Sequence, residues 1–214
     1  NTSKESIAGL EDTMSSKVIG VMLLLGPILL VGPWMLLGVD TSGMSPSEKL
    51  NALIADSNKA ELSSILNVFG AMAMFTGLYL LTRSLKSDNS VSNTCAEIGG
   101  LFLLLCVPLW VVLMASDISA LEAAEEFGTD VGASILAAST LFQMVGILMV
   151  VGMLLLGIAL TQLRKYKGII GALFVVAAGL AFVDMVAQPP EFIATLGWMG
   201  MFLTTLVTGI LTTL

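Results

Sequence analysis

Apolar residues run along this chain in long blocks separated by short polar stretches, and the blocks share a characteristic length. They cover 18–39, about 62–82, 98–116, 131–163, 168–187 and 193–214, each bounded by charged residues or turn-forming residues. A hydrocarbon core roughly 30 Å thick is crossed by about 20 residues that rise 1.5 Å each. The six blocks therefore predict six transmembrane helices. No alternating strand pattern is left over. The fold expected is all-α, one polytopic transmembrane helix bundle over 18–214 preceded by a polar tail over 1–17. The fourth block, about 33 residues and so roughly 50 Å as a helix, exceeds what the core requires. It predicts either tilt or a turn or two of projection into water at its Asp130 end.

Composition agrees: 56% of the residues are hydrophobic and 12% charged, with a mean hydropathy of +0.95. Values of this kind lie outside the range of soluble domains. Localisation is expected to be the cell membrane, multi-pass. Lys4, Lys17, Arg83, Lys86, Arg164, Lys165 and Lys167 fall on one side of the predicted bundle, and only Lys49 and Lys59 on the other. The positive-inside rule then puts both termini in the cytoplasm. Trp34, Trp110 and Trp198 fall in the outer halves of their spans and Tyr79 and Tyr166 at inner ends, as interfacial aromatic belts would have them. The first residue, Asn1, is not a methionine, and a cleaved leader would invert this topology. In the tail, Ile7, Leu10 and Met14 at i, i+3 and i+7 suit either a short surface helix or a disordered segment.

The outer connections carry the acids. Ser45, Pro46 and Glu48 spell a capped helix start, an N-cap followed by proline at the first position and a carboxylate that reaches back. Between the third and fourth spans, "SDISALEAAEEFGTD" holds Asp117, Glu122, Glu125, Glu126 and Asp130 with no basic residue. With Asp40, Glu48, Asp56, Glu61 and Glu191 added, the outer face is expected to be acidic, concentrating cations and repelling nucleic acid. Both a solvated surface and a docking site for a cation or basic partner fit this. Glu97, at the inner end of the third span, is expected to pair with Arg83 or Lys86.

Asp184 is the acid that most needs a reason, because a long uncharged block runs up to it. It lies about 24 Å along the fifth helix, in the outer leaflet, with Gln188 one turn later as a hydrogen-bond partner. If the third and fifth helices were neighbours, Asp117, Asp184 and Glu191 would converge as a candidate cation or proton site, and close carboxylates would raise one pKa. The alternative is a snorkelled acid held by Gln188 and a loop amide.

Cofactor and metal chemistry find little support. There is no histidine, which removes most zinc, copper and haem sites, and the thirteen methionines read as adaptable packing. No phosphate loop or nucleophile motif appears, so no catalytic residue, cofactor or metal ligand is expected. Gly146, Gly152 and Gly157 punctuate the fourth span and allow close helix approach, within the chain or against another subunit. The capped outer helix, the "LYLLTRSLK" end of the second span and the "LRKYKGIIGALFVVAAG" join between fourth and fifth resemble a family of uncharacterised prokaryotic six-helix integral membrane proteins. That resemblance implies fold and topology and supplies no activity. The function expected is a non-catalytic accessory or structural subunit of a membrane complex, with membrane lipid and protein subunits or further copies of itself as partners and no nucleic acid. A channel or transporter for a cation or small solute is the alternative.

Overall fold

Hydrophobic surface that cannot be buried in so small a chain must face lipid, and the fold arranges for this. The computed structural model describes residues 2–38, 44–85, 87, 89–139, 141, 144–187 and 189–214, with 2–14 described by backbone alone. Six helices are long and apolar enough to cross a membrane: α1 (Thr2–Leu36), α3 (Ser57–Ser84), α4 (Ser90–Phe127), α6 (Val145–Gln162), α7 (Ile169–Ala187) and α8 (Glu191–Thr213). Two short helices, α2 (Pro46–Ala55) and α5 (Thr129–Ser139), and a 3-10 turn over Lys165–Gly168 complete the described helices. The chain is thus a six-span helical bundle and a multi-pass membrane protein.

The six long helices form a closed ring. Each packs on its neighbours in chain order, and α1 closes the ring against α8. Leu23, Phe75, Leu103, Met149, Met153 and Phe174 are fully buried inside it. Residues such as Leu25, Phe69, Leu101, Val176 and Leu203 project outward and remain exposed, as lipid-facing side chains must be. Because lipid is as apolar as leucine, no hydrophobic drive pulls the helices together, and close backbone packing has to do so. Glycines sit at the crossings. A Cβ added to Gly26 of α1 would lie 2.6 Å from the backbone of Met74 on α3, and one added to Gly209 of α8 would lie 2.8 Å from the Leu24 nitrogen on α1.

The three glycines of the fourth span are used in the same way. Gly152 lies against Leu103 and the Gly99 carbonyl of α4, and Gly157 against the Gly171 carbonyl of α7. Gly146 lies near Met185 and Trp198. All three are buried within the chain and face different neighbours, so they do not make one free face for another subunit.

Two boundaries differ from those the hydrophobic blocks predict. The helix expected over 131–163 is two helices, α5 and α6, with 3-10 geometry at Leu141 and Met144 between them. Leu136 of α5 joins Leu50, Leu53, Ala60, Ala120 and Leu121 in a small second core, while Val131 on the same helix stays exposed. Hydropathy cannot tell an apolar face that meets lipid from one that meets another helix, and so the two segments read as one. The polar tail likewise does not stand apart, since the helical backbone runs unbroken from Thr2. Helix formation is cooperative and nothing in 2–17 stops it more strongly than Gly9. The side chains of Lys4, Ile7, Leu10 and Met14, and residues Asp40, Lys86 and Gln188, lie outside the described parts.

A cap therefore covers one end of the ring, built from α2, α5 and the last turns of α4. Helix α2 starts as its sequence predicts: the Ser45 backbone N–H donates to Glu48 Oε2 at 2.8 Å, and the Ser45 hydroxyl accepts from the Glu48 N–H. The hydrogen bonds from Ser45, first its side chain and then its backbone, hold the Glu48 carboxyl below the usual range. Glu122, Glu125 and Glu126 leave the last turns of α4 into solvent while Ala120, Leu121 and Ala123 face inward. The opposite, basic end carries Lys17, Arg83 and the turn Arg164–Lys167, in which Arg164, Tyr166 and Lys167 have positive φ. There the Tyr166 hydroxyl lies 2.7 Å from Thr212 Oγ1 and holds the turn to α8.

Candidate functional site: a tryptophan-lined cavity

At the cap end the ring is not filled. A cavity of about 590 Å³ opens between α1, α3, α4 and α8 beneath α2, within the size range of small-molecule sites. Its deep wall is apolar and aromatic: Leu30, Trp110, Trp198, Met199 and Phe202 line it, and Trp110 tilts against the fully buried Phe75 with ring centroids 5.8 Å apart. The chain has three tryptophans, and with Trp34 at the rim all three line this one space. They were expected to form an interfacial belt. Depth along a helix is the same for a belt and for an inward wall, and only the rotation of each helix separates the two.

Each inner indole is tied down. Trp110 Nε1 donates to Asn67 Oδ1 at 2.7 Å, and Asn67 Nδ2 donates to the Leu30 carbonyl at 2.8 Å. That carbonyl lies on the turn of α1 that precedes Pro33. One amide on α3 therefore joins the backbone of α1 to the wall residue of α4. On the far side Trp198 Nε1 donates to Asp184 Oδ2 at 2.9 Å. Asp184 thus has a definite role: from α7 it holds the indole of α8 from behind, and it does not line the cavity itself.

Polar groups gather toward the cap. Lys49 Nζ donates to Asp117 Oδ1 at 2.7 Å, joining α2 to α4 with both side chains partly buried. The hydroxyls of Ser63 and Ser64 line the same region with no protein partner among the described residues. Asp117 is thus neutralised by Lys49, Asp184 is engaged by Trp198, and Glu191 stands exposed in the first turn of α8. The three do not converge. Helix α6 packs between α4 and α7, and no group of three potential metal ligands occurs among the described residues. Glu97 is exposed and unpaired in the described structure, while Arg83 Nη1 donates to the Tyr79 hydroxyl at 3.3 Å. Lys86, the other partner expected for Glu97, lies outside the described residues.

No known protein family, curated protein or solved structure matches this chain. Its chemistry is therefore read from the cavity alone. Asn67 and Lys49 are the residues that sequence reasoning passed over. The signal was available for Asn67, an amide inside an otherwise apolar span, where an unsatisfied polar group is costly.

The Asp184 contact makes a direct prediction. Asp184→Asn keeps an oxygen that can accept the Trp198 N–H, and unfolding followed by tryptophan emission should shift by less than about 0.5 kcal/mol. Asp184→Leu strands the indole and should cost about 1–3 kcal/mol. Equal effects from the two variants would show that the hydrogen bond does not matter.

Proposed function

We propose that this multi-pass membrane protein is non-catalytic and works by taking up a small solute in the tryptophan-lined cavity, as a binding protein or carrier. The observation that carries the reading is that all three tryptophans of the chain line one cavity of about 590 Å³, two of them with their indole N–H groups fixed. Large side chains held in place around an unfilled space cost packing energy that a filled interior would regain. An occupant restores those contacts.

The same geometry weighs against a cation. The acids proposed for that role are already neutralised or apart. It also removes one support for an accessory subunit, because the small residues that suggested a docking face are spent on contacts inside the chain. The cell membrane remains the expected setting, with lipid around the ring.

Native mass spectrometry on the particle extracted from its own membrane in mild detergent tests the proposal. The expected result is one chain, or several copies of it, with one small organic adduct per chain that disappears in Ser64→Trp, which fills the cavity. A stoichiometric complex with a different protein and an adduct-free chain would overturn it in favour of the subunit role.

A further inference from the structure

We propose that the occupant is an uncharged amphiphile, an apolar body bearing a hydroxyl or ester head, and that it enters from the lipid phase between α1 and α8. The inference rests on the reading of the cavity as a binding chamber and adds the class of ligand and its route.

Charge balance selects the class. Among the described residues, Lys49 and Asp117 are the charged ones in the wall, and they touch at 2.7 Å with side-chain exposures of 28% and 16%. Together they sum to zero. A charged guest would have to shed its water and then either stay unneutralised or separate that pair. Each route leaves an unpaired charge that is partly withdrawn from solvent, which is costly. An uncharged guest meets neither penalty. Asp184 does not alter the sum, because it stands behind the Trp198 indole and outside the wall.

The arrangement of the lining selects an amphiphile over a plain hydrocarbon. On α3, Ser63 and Ser64 lie one turn nearer the cap than Asn67, and on α4 Asp117 lies two turns nearer the cap than Trp110. Free hydroxyls and the spare donors of the Lys49 ammonium therefore collect at one end. The indoles of Trp110 and Trp198 and the ring of Phe202 occupy the other. A ligand with one hydrogen-bonding head and one apolar body matches both ends in a single orientation.

The route follows from how α1 and α8 meet. Their glycine contacts, Gly20 and Gly209, lie in the basic half of the seam. In the cap half the two helices instead line the cavity, through Leu30 and Trp34 on one side and Thr195 and Trp198 on the other. Trp34 at this rim is 59% exposed. A seam whose exposed edge is an indole admits an apolar body from acyl chains more favourably than from water.

The test uses the full chain in phosphatidylcholine nanodiscs and three probes with the same ten-carbon chain: 1-decanoylglycerol, decanoate and decyltrimethylammonium. Because every tryptophan lines the cavity, intrinsic emission reports occupancy. The glycerol ester should produce a saturable change, and both charged probes should bind at least about tenfold more weakly. Asp117→Asn, which leaves Lys49 unpaired, should strengthen decanoate about tenfold or more. Lys49→Met should do the same for decyltrimethylammonium. The double variant Lys49→Met/Asp117→Asn restores neutrality and should return the original order, and it serves if a single variant fails to fold. A charged probe that binds the unaltered chain as tightly as the glycerol ester, or an order unchanged in all three variants, would overturn the ligand class. If no probe saturates while the adduct in native mass spectrometry persists, the class is wrong and the chamber stands; if the adduct is absent too, both readings fall.

Discussion

Gly70→Ala should largely abolish the folded protein, whereas Gly179→Ala should leave it unharmed. Both residues sit within long helices of the same ring, and both substitutions add one methyl group. At Gly70 of α3 the new Cβ would lie 2.6 Å from the Leu29 carbonyl carbon and 2.9 Å from the Gly26 carbonyl oxygen of α1, distances that real Cβ atoms do not adopt. The obstacle is backbone, which cannot rotate aside as a side chain can. Overpacking a core usually costs about 1–3 kcal/mol, and a clash with rigid main chain should exceed that. The total stability of a domain is only about 5–15 kcal/mol, so the loss should appear as aggregation on extraction or a sharply lowered Tm. The α1–α3 seam also carries the cavity wall, and any survivor should lose the small adduct. At Gly179 of α7 nothing lies within 4 Å of the added carbon, and alanine's better helix propensity should make the change neutral or stabilising by up to about 1 kcal/mol. If both variants melt alike, the ring does not depend on glycine crossings.

Asn67→Leu should be the most damaging change at the cavity itself. It conserves volume approximately but removes both the acceptor for Trp110 Nε1 and the donor to the Leu30 carbonyl. Each group left without a partner in an apolar setting costs about 1–3 kcal/mol, which puts the loss at about 2–6 kcal/mol. Thermal unfolding in detergent checks the size, and a double-mutant cycle checks the cause. In a Trp110→Phe background no indole N–H remains to be stranded, so Asn67→Leu should cost roughly half as much there. Equal costs in both backgrounds would mean that the amide acts by shape and not by joining α1 to α4.

Much of this architecture was legible in the residue order. Six apolar blocks gave six long helices, because a bilayer imposes one length on anything that crosses it. The start of α2 was legible too, since a capping box is a local contact between Ser45 and Glu48 that needs no other part of the chain. The fourth block misled at the point where Leu136 of α5 packed with Leu50 and Ala120 in a second core instead of extending the span. For the site, the sequence drew attention to acids and placed them at the correct end. It missed that Asp117 has Lys49 as its partner across 68 positions of chain, and that Asp184 has Trp198.

By itself, then, the sequence determined that the protein is helical, multi-pass and organised with its basic turns at one end. Those properties follow from hydropathy, helix rise and local capping, all of which act over one turn or one span. The tertiary structure alone decided that the helices close into a ring, that Trp110 and Trp198 turn inward to one cavity with Trp34 at its rim, and that Gly146, Gly152 and Gly157 meet the chain's own helices. The reason is rotational. An almost uniformly apolar helix has no strong face, so its residue order fixes its depth in the membrane but not which side it shows its neighbours. That choice is made by crossing glycines and a few hydrogen bonds between residues distant in the chain.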